Sequence, residues 1–421
     1  MNMLRCLLSP IPFLVGGVIL TSTLAGTSAT SPSPVLAAPN VPMALHLCLA
    51  APRALKPAVG SAWQLVELEN PGELVPAALA PAWGPDGALT EGRWQLVATI
   101  PPRAAATANR RFQLKTVDGA ALSAAEDARF RFADVDEKSL GLWEGQRRVL
   151  AYNHGVISKS GVPAGFSRST YVHPLYGLDG EVMTDDFPED HFHHRGLFWA
   201  WPHVTVGEQH LDLWALQGMR QRFGRWLARE TSVTAAVLGV ENGWYAGEQK
   251  VMTERVWFHV YPASRDGRAI DVDFTWIPLR QPVTLAGAEG KSYGGLTLRF
   301  APRTQTAITT PLGNAGDDAY MTRLPWADLS AQFADTPQPS GAAIFIAPDH
   351  PDYPPTWLTR HYGVLCVGWP GVTPKTFAVG EPIRCGYRVW IHRGMAGVKD
   401  LGRAYEVFKA GKGARWETMS N

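Results

Sequence analysis

The chain has 421 residues, 46% of them hydrophobic and 18% charged, and its 39 basic and 38 acidic side chains leave a formal net charge of +1. So even a balance offers neither a basic field for nucleic acid nor an acidic one for cations, and the apolar content suffices for an ordered core; a small neutral partner fits best.

At the start of the chain, Arg5 precedes an apolar run from Ile11 to Gly26, and a small-residue stretch ends at Val35-Leu36-Ala37-Ala38. This pattern predicts a secretory leader over residues 1–38 and places the mature protein in the periplasm or outside the cell. The apolar core falls short of the roughly 18 to 20 residues that a spanning helix needs, and no later segment is as long and uncharged, so no membrane span is expected. Roughly 380 residues remain, enough for two domains at about 100 to 200 residues each. Cys48, Cys366 and Cys385 lie beyond the leader, an odd number that does not describe a disulfide scaffold. Cys366 and Cys385 either bridge neighbouring strands or stay as buried thiols.

Residues 41–122 are rich in Ala and Pro and carry short alternating runs, Trp94–Ile100 and Arg111–Val117, with turn signals at Pro85-Asp86-Gly87 and Asp118-Gly119. They predict a small β-sandwich of immunoglobulin-like type, followed by a linker at Ala121–Asp127. Over 128–415, β signals recur at Val251–Tyr261, Ala269–Trp276, Gly295–Phe300, Ala342–Ile346, Val364–Trp369 and Cys385–His392. Many strands and little helix predict an all-β fold, a large antiparallel β-sandwich. The one persuasive helix is Val398–Lys409, where Leu401, Ala404, Val407 and Phe408 keep helical spacing.

The densest chemistry is Asp190-His-Phe-His-His-Arg-Gly196, which places three of the chain's twelve histidines within four positions. An extended backbone here would put His191, His193 and Arg195 on one face and Asp190, Phe192 and His194 on the other. A second stretch, His210-Leu-Asp-Leu-Trp214, alternates in the same way and places His210, Asp212 and Trp214 together. A turn at Val206-Gly207-Glu208 would let the two stretches meet as a long hairpin. Two chemistries fit. In one, a divalent metal sits on His191 and His193, joined by His210 or Asp212, and activates water. In the other, a histidine oriented by Asp190 or Asp212 is the acid or base, and Arg195 holds an anion or oxyanion. The flanking Trp199, Trp201 and Trp214 suit either a core or a platform for sugar rings.

Three segments, Tyr171–Gly177, Gly180–Pro188 and Asp190–Gly196, resemble the PmoA-like family, a bacterial group of unknown function that carries the label methane oxygenase. The resemblance extends through Lys291–Leu296, His350-Pro351, Trp357, Tyr362-Gly363 and Tyr387–Gly394, about residues 130–415; where the family more often has proline, this chain has Phe192. The label does not suit a chain without a spanning segment. The resemblance implies exported carbohydrate chemistry, and a sandwich similar to the galactose-mutarotase type. Carried over residue by residue, it nominates His173, Asp190, His191, His193, His194 and Arg195, then Asp212, Lys291, Tyr293, Arg360 and Tyr362. The expectation is an enzyme acting on a glycoside or keto-sugar, with a non-catalytic carbohydrate-binding protein as the alternative.

Overall fold

In the computed structural model, Arg268–Pro278 shows how the sequence builds the large domain: Ile270, Val272, Phe274 and Trp276 are buried on one face while Asp271 and Asp273 lie on the other. That two-residue period is what a strand with one face on a core requires. The structure describes residues 34–57, 61–103, 108–118, 129–334 and 336–417, which belong to one compact unit; the proposed leader up to residue 33 and the linker 121–127 lie outside them.

The large domain is an antiparallel all-β sandwich. One nine-stranded sheet runs, in spatial order, Tyr320–Arg323, Thr356–Arg360, Val364–Gly368, Gly295–Arg299, Leu197–Ala200, Tyr171–Leu175, Arg147–Asn153, Ser139–Glu144 and Phe130–Asp136. The other runs from Met219–Thr231 through Ala236–Ala246, Gln249–Val260, Arg268–Pro278 and Ile383–Arg393 to Ser340–Ile346, Trp326–Phe333, Arg303–Thr310 and Gly313–Ala315. Their facing side chains form the main core, rich in tryptophan. Inside it Glu254, fully buried, accepts hydrogen bonds from the indoles of Trp199, Trp244 and Trp276. A four-stranded sheet joins the hairpin His203–Val206 and Gln209–Leu211 to Val283–Ala286 and Lys375–Phe377.

The N-terminal domain is a seven-stranded antiparallel sheet with its own core of Leu36, Leu47, Leu65, Leu96, Phe112 and Leu114. Its limits differ from the expected 41–122. Val35–Ala38 pairs with Arg110–Asp118 on one side and with Arg415–Trp416 on the other. That strand occupies the last residues of the expected leader; small apolar residues serve an inner strand as well as a cleavage site.

The helix Val398–Gly411 packs Leu401, Ala404 and Phe408 against Phe345 and Trp390 on the outer face of the second sheet, and turns Val407 into the N-terminal core. The indole of Trp257 donates to Gly87 O at 2.8 Å and Arg255 to Asp86 O at 2.8 Å, fastening the two domains together. All three described cysteines are free thiols; Cys366 and Cys385 lie in different sheets, which removes the bridge from consideration.

Candidate functional site

The histidine segment is not extended. The His191 N–H bonds Pro188 O at 3.0 Å and the His194 N–H bonds His191 O at 2.9 Å, so two tight turns replace the expected strand, and the alternation of faces does not apply. The turns gather the rings instead of separating them. His191 and His194 stack with centroids 4.5 Å apart and planes 3° from parallel, and His193 stands edge-on to both, at 5.6 and 4.7 Å. Tyr362 stacks on the other side of His191 at 5.4 Å, and Trp214 closes the cluster edge-on to His194 at 5.4 Å.

The chain leaves these turns at Gly196, where a Cβ would fall 2.3 Å from Val172 O, so only glycine allows Leu197–Ala200 to pair with Tyr171–Leu175. Before that, Arg195 anchors the loop. Its fully buried guanidinium donates to the carbonyls of Phe192 (2.7 Å), His194 (2.5 Å) and Phe166, lies 3.5 Å over the Phe187 ring, and approaches Asp186 at 3.3 Å. Arg195 is therefore a positioning residue, not the expected oxyanion holder: its two terminal nitrogens donate to backbone, Nε faces Asp186, and no part of the side chain meets solvent.

Asp190, exposed, sits 3.0 Å from His191 Nδ1 and accepts from Arg299 at 2.7 Å. Arg299 pulls its carboxyl below the usual range against the opposing effect of desolvation. That approach lies on the Nδ1 side of the ring without hydrogen-bond geometry, and Nε2, which makes no hydrogen bond among the described residues, is left for a reacting group. Among the described residues, neither ring nitrogen of His193 or of His194 has a hydrogen-bond partner, and His194 Nδ1 is buried as well. Burial, then the neighbouring His191 and the guanidinium charges of Arg168 and Arg195, hold His193 down to about 4; burial and the other two rings hold His194 well below its ordinary value. His193 and His194 are thus neutral imidazoles at neutral pH, lacking the hydrogen bonds that buried polar rings normally find.

Other nominated residues surround this core in unequal ways. Tyr293 packs on Trp214 at 4.8 Å. Asp212 caps the turn that carries Trp214, accepting the Ala215 N–H at 2.7 Å. His173, pushed down to about 4 by burial and by Arg195, bonds Thr184 at 3.1 Å behind the loop. Arg360 lies over Tyr320 and faces Asp318 at 3.6 Å, and Lys291 is exposed in a turn.

The metal set is corrected. His210 sits exposed on the predicted hairpin, bonded to Thr205 at 3.1 Å, and among the described residues no three histidine, cysteine or carboxylate side chains are arranged to hold an ion. A ring nitrogen's lone pair lies in the ring plane, so the parallel planes of His191 and His194 share no point at which one ion could sit.

Sequence reasoning missed two guanidiniums. Arg168, pushed down to about 9 by burial and by Arg195, donates to the carbonyls of Leu213 and Trp214 and keeps Nε and Nη1 unpartnered. Arg299 holds Asp190, lies 5.0 Å over Tyr362, and also has two buried unpartnered nitrogens. It comes from a strand more than a hundred positions away, and its only local signal was a charge in the largely apolar Leu296–Phe300.

Fold and site define an all-β sandwich protein with an aromatic-lined histidine cluster. The chain belongs to a family of unknown function, DUF6807, whose model matches residues 141–406. No curated protein matches the sequence. Among solved structures, the chain is similar to a GH36 alpha-galactosidase from Geobacillus stearothermophilus in complex with raffinose (TM-score 0.31, 11% identity, 66% of this chain). It is also similar to a protein assigned as a kojibiose phosphorylase from the human microbiome (TM-score 0.30, 9% identity, 66% of this chain). The chain spans 42% and 34% of those two proteins.

Proposed function

We propose that the protein is an exported carbohydrate-active enzyme that acts on a glycoside or keto-sugar by hydrolysis, elimination or isomerisation, moving protons through the histidine cluster. The observation that carries this reading is His193: a neutral imidazole in contact with two others, with both ring nitrogens free of the protein. A free neutral imidazole accepts a proton from a bound hydroxyl or activated C–H, and the charged neighbours that depress its basicity drive the proton onward. His191, oriented by Asp190, is the second proton carrier. Tyr362 covers one side of that ring, and Arg299 supplies positive charge beside the carboxylate.

A binding platform is less well supported, because Trp199, Trp201 and Trp214 are all buried and form no exposed row. The test is product detection on a panel of glycosides and their 3-keto forms with the wild type and with His193→Ala. Turnover of one class, lost in the folded variant, is expected; no turnover across the panel, or equal rates for both proteins, would overturn the reading.

A further inference from the structure

The N-terminal sheet does not close fully onto the large sandwich. Between them lies a cavity of about 190 Å³, adjoining a second lobe of about 170 Å³ that shares the walls Trp83, Asp273, Arg384 and Gly386. Strand periodicity supplies its floor: the outer face of Arg268–Pro278 presents Asp271 and Asp273, and the paired strand Ile383–Arg393 presents Arg384, Gly386 and Arg388. Gly386 keeps the floor open, since a Cβ there would come 3.1 Å from Asp273 Oδ1. His46, Cys48, Trp83 and Gln95 form the roof from the N-terminal sheet, and Lys412 at the end of the helix stands at the exposed rim.

The polar groups divide into the used and the unused. Asp271 is occupied by Arg388 at 2.6 and 2.8 Å and by Tyr261. Asp273 receives no protein hydrogen bond among the described residues, although it lies deep enough that burial pushes it up to about 6 against the pull of Lys412. Lys412 makes no ion pair among the described residues, although Asp273, Asp271 and Asp349 raise it against its desolvation. A carboxyl that opens on an inter-domain void without a protein partner favours a polar occupant there.

The chemistry of the walls narrows the occupant. Asp271, Asp273 and Asp349 face Arg384, Arg388 and Lys412, three charges of each sign, which selects neither cation nor anion. Trp83, backed by Trp257 in a stack at 4.5 Å and 10°, contributes an aromatic wall. A cavity of about 150 Å³ is known to hold benzene, so the main lobe has room for one six-membered ring with substituents. We propose that this cavity is a binding site for a single neutral sugar ring, packed against Trp83 with its hydroxyls bonded to Asp273 and Lys412. The proposal stands independently of any catalysis at the histidine cluster.

Titration calorimetry of the full chain with D-glucose, D-galactose, D-mannose and their methyl glycosides tests it. At least one sugar should bind saturably with a change in tryptophan fluorescence. Asp273→Asn and Lys412→Met should each weaken that binding at least tenfold, and His193→Ala should leave it unchanged. Three outcomes overturn the proposal: no saturation with any of these sugars, wild-type affinity in both cavity variants while their fold is intact, or loss of binding in His193→Ala.

Discussion

His191 and His194 lie face to face, centroids 4.5 Å apart and planes 3° from parallel. Parallel imidazoles cannot direct their in-plane lone pairs at one ion, and His193, perpendicular to both, would then stand alone as a ligand. Elemental analysis of protein purified without chelator should therefore give less than one equivalent of any transition metal, and dialysis against EDTA should leave turnover intact. One equivalent of zinc, lost on His193→Ala, would refute this.

Asp190 should act through His191. Its carboxylate, held by Arg299, approaches Nδ1 and favours the tautomer that leaves Nε2 for substrate. Asp190→Asn keeps the shape and removes the charge, so kcat should fall about a hundredfold, in the range one acid–base group contributes, with little change in KM. A kcat equal to the wild type's would show that His191 needs no orienting partner.

Arg195 should matter for the loop and not for the chemical step. Removing a buried guanidinium that serves three carbonyls and faces Asp186 leaves those carbonyls without this donor and Asp186 with Tyr171 alone, a loss of about 3 to 5 kcal/mol. Arg195→Met should shift the urea midpoint down and alter near-UV dichroism from the surrounding aromatics. A variant with wild-type stability and no activity would restore the oxyanion role.

The strands and the helix were legible because their signals are local. Ile270, Val272, Phe274 and Trp276 alternate with polar residues, and the helix expected at Val398–Lys409 is found at Val398–Gly411. The histidine loop was legible in composition and not in shape: an H-x-H spacing fits a strand, but hydrogen bonds from residues 191 and 194 back to 188 and 191 make turns, and nothing in the side-chain pattern encodes them. Arg168, Arg299 and the pairing of Val35–Ala38 with Arg415–Trp416 depend on contacts between distant positions, which no window along the chain contains.

Acid should destabilise the fold before carboxylate titration alone would. His46 is held down to about 3, His173, His193, His259 and His350 to about 4, and His194 well below its ordinary value, each chiefly by burial. The unfolded chain takes up protons on these rings near pH 6.5 and the native one does not, so their contribution is full above that pH and declines as pH falls toward 4. Each can add up to about 1.4 kcal/mol per pH unit. Asp186 and Asp273, pushed up to about 6 by burial, Asp185 and Asp212, also raised by burial, and His392, raised by Asp328 against its own burial, act in the opposite sense over part of this interval, but the six lowered rings outweigh them. Urea midpoints should drop steeply between pH 7 and pH 5, and less steeply in His193→Gln. A flat profile would mean that these rings protonate without leaving the fold.

Glu254 should be the most sensitive single position of the main core. Its Oε2 accepts from the indoles of Trp199, Trp244 and Trp276 at 2.7 to 2.9 Å and from Gln221 at 3.2 Å, while Oε1 accepts from Asn242 at 2.9 Å. Five donors, none of them a cation, converge on one carboxyl group in a dry interior; the three indoles depend on it alone, while Gln221 also reaches Trp199 O and Asn242 the Tyr152 hydroxyl. Glu254→Leu orphans the three indoles at about 1 to 3 kcal/mol apiece, so a loss above about 3 kcal/mol is expected even after relaxation. Glu254→Gln keeps one acceptor oxygen but turns an amide N–H2 toward donors, which predicts a smaller loss of about 2 kcal/mol. Urea unfolding followed by tryptophan emission reads both, because the three reporting indoles are the donors themselves. If leucine were tolerated as well as glutamine, the network would be a by-product of packing and the tryptophans would hold the two sheets together through apolar contact alone.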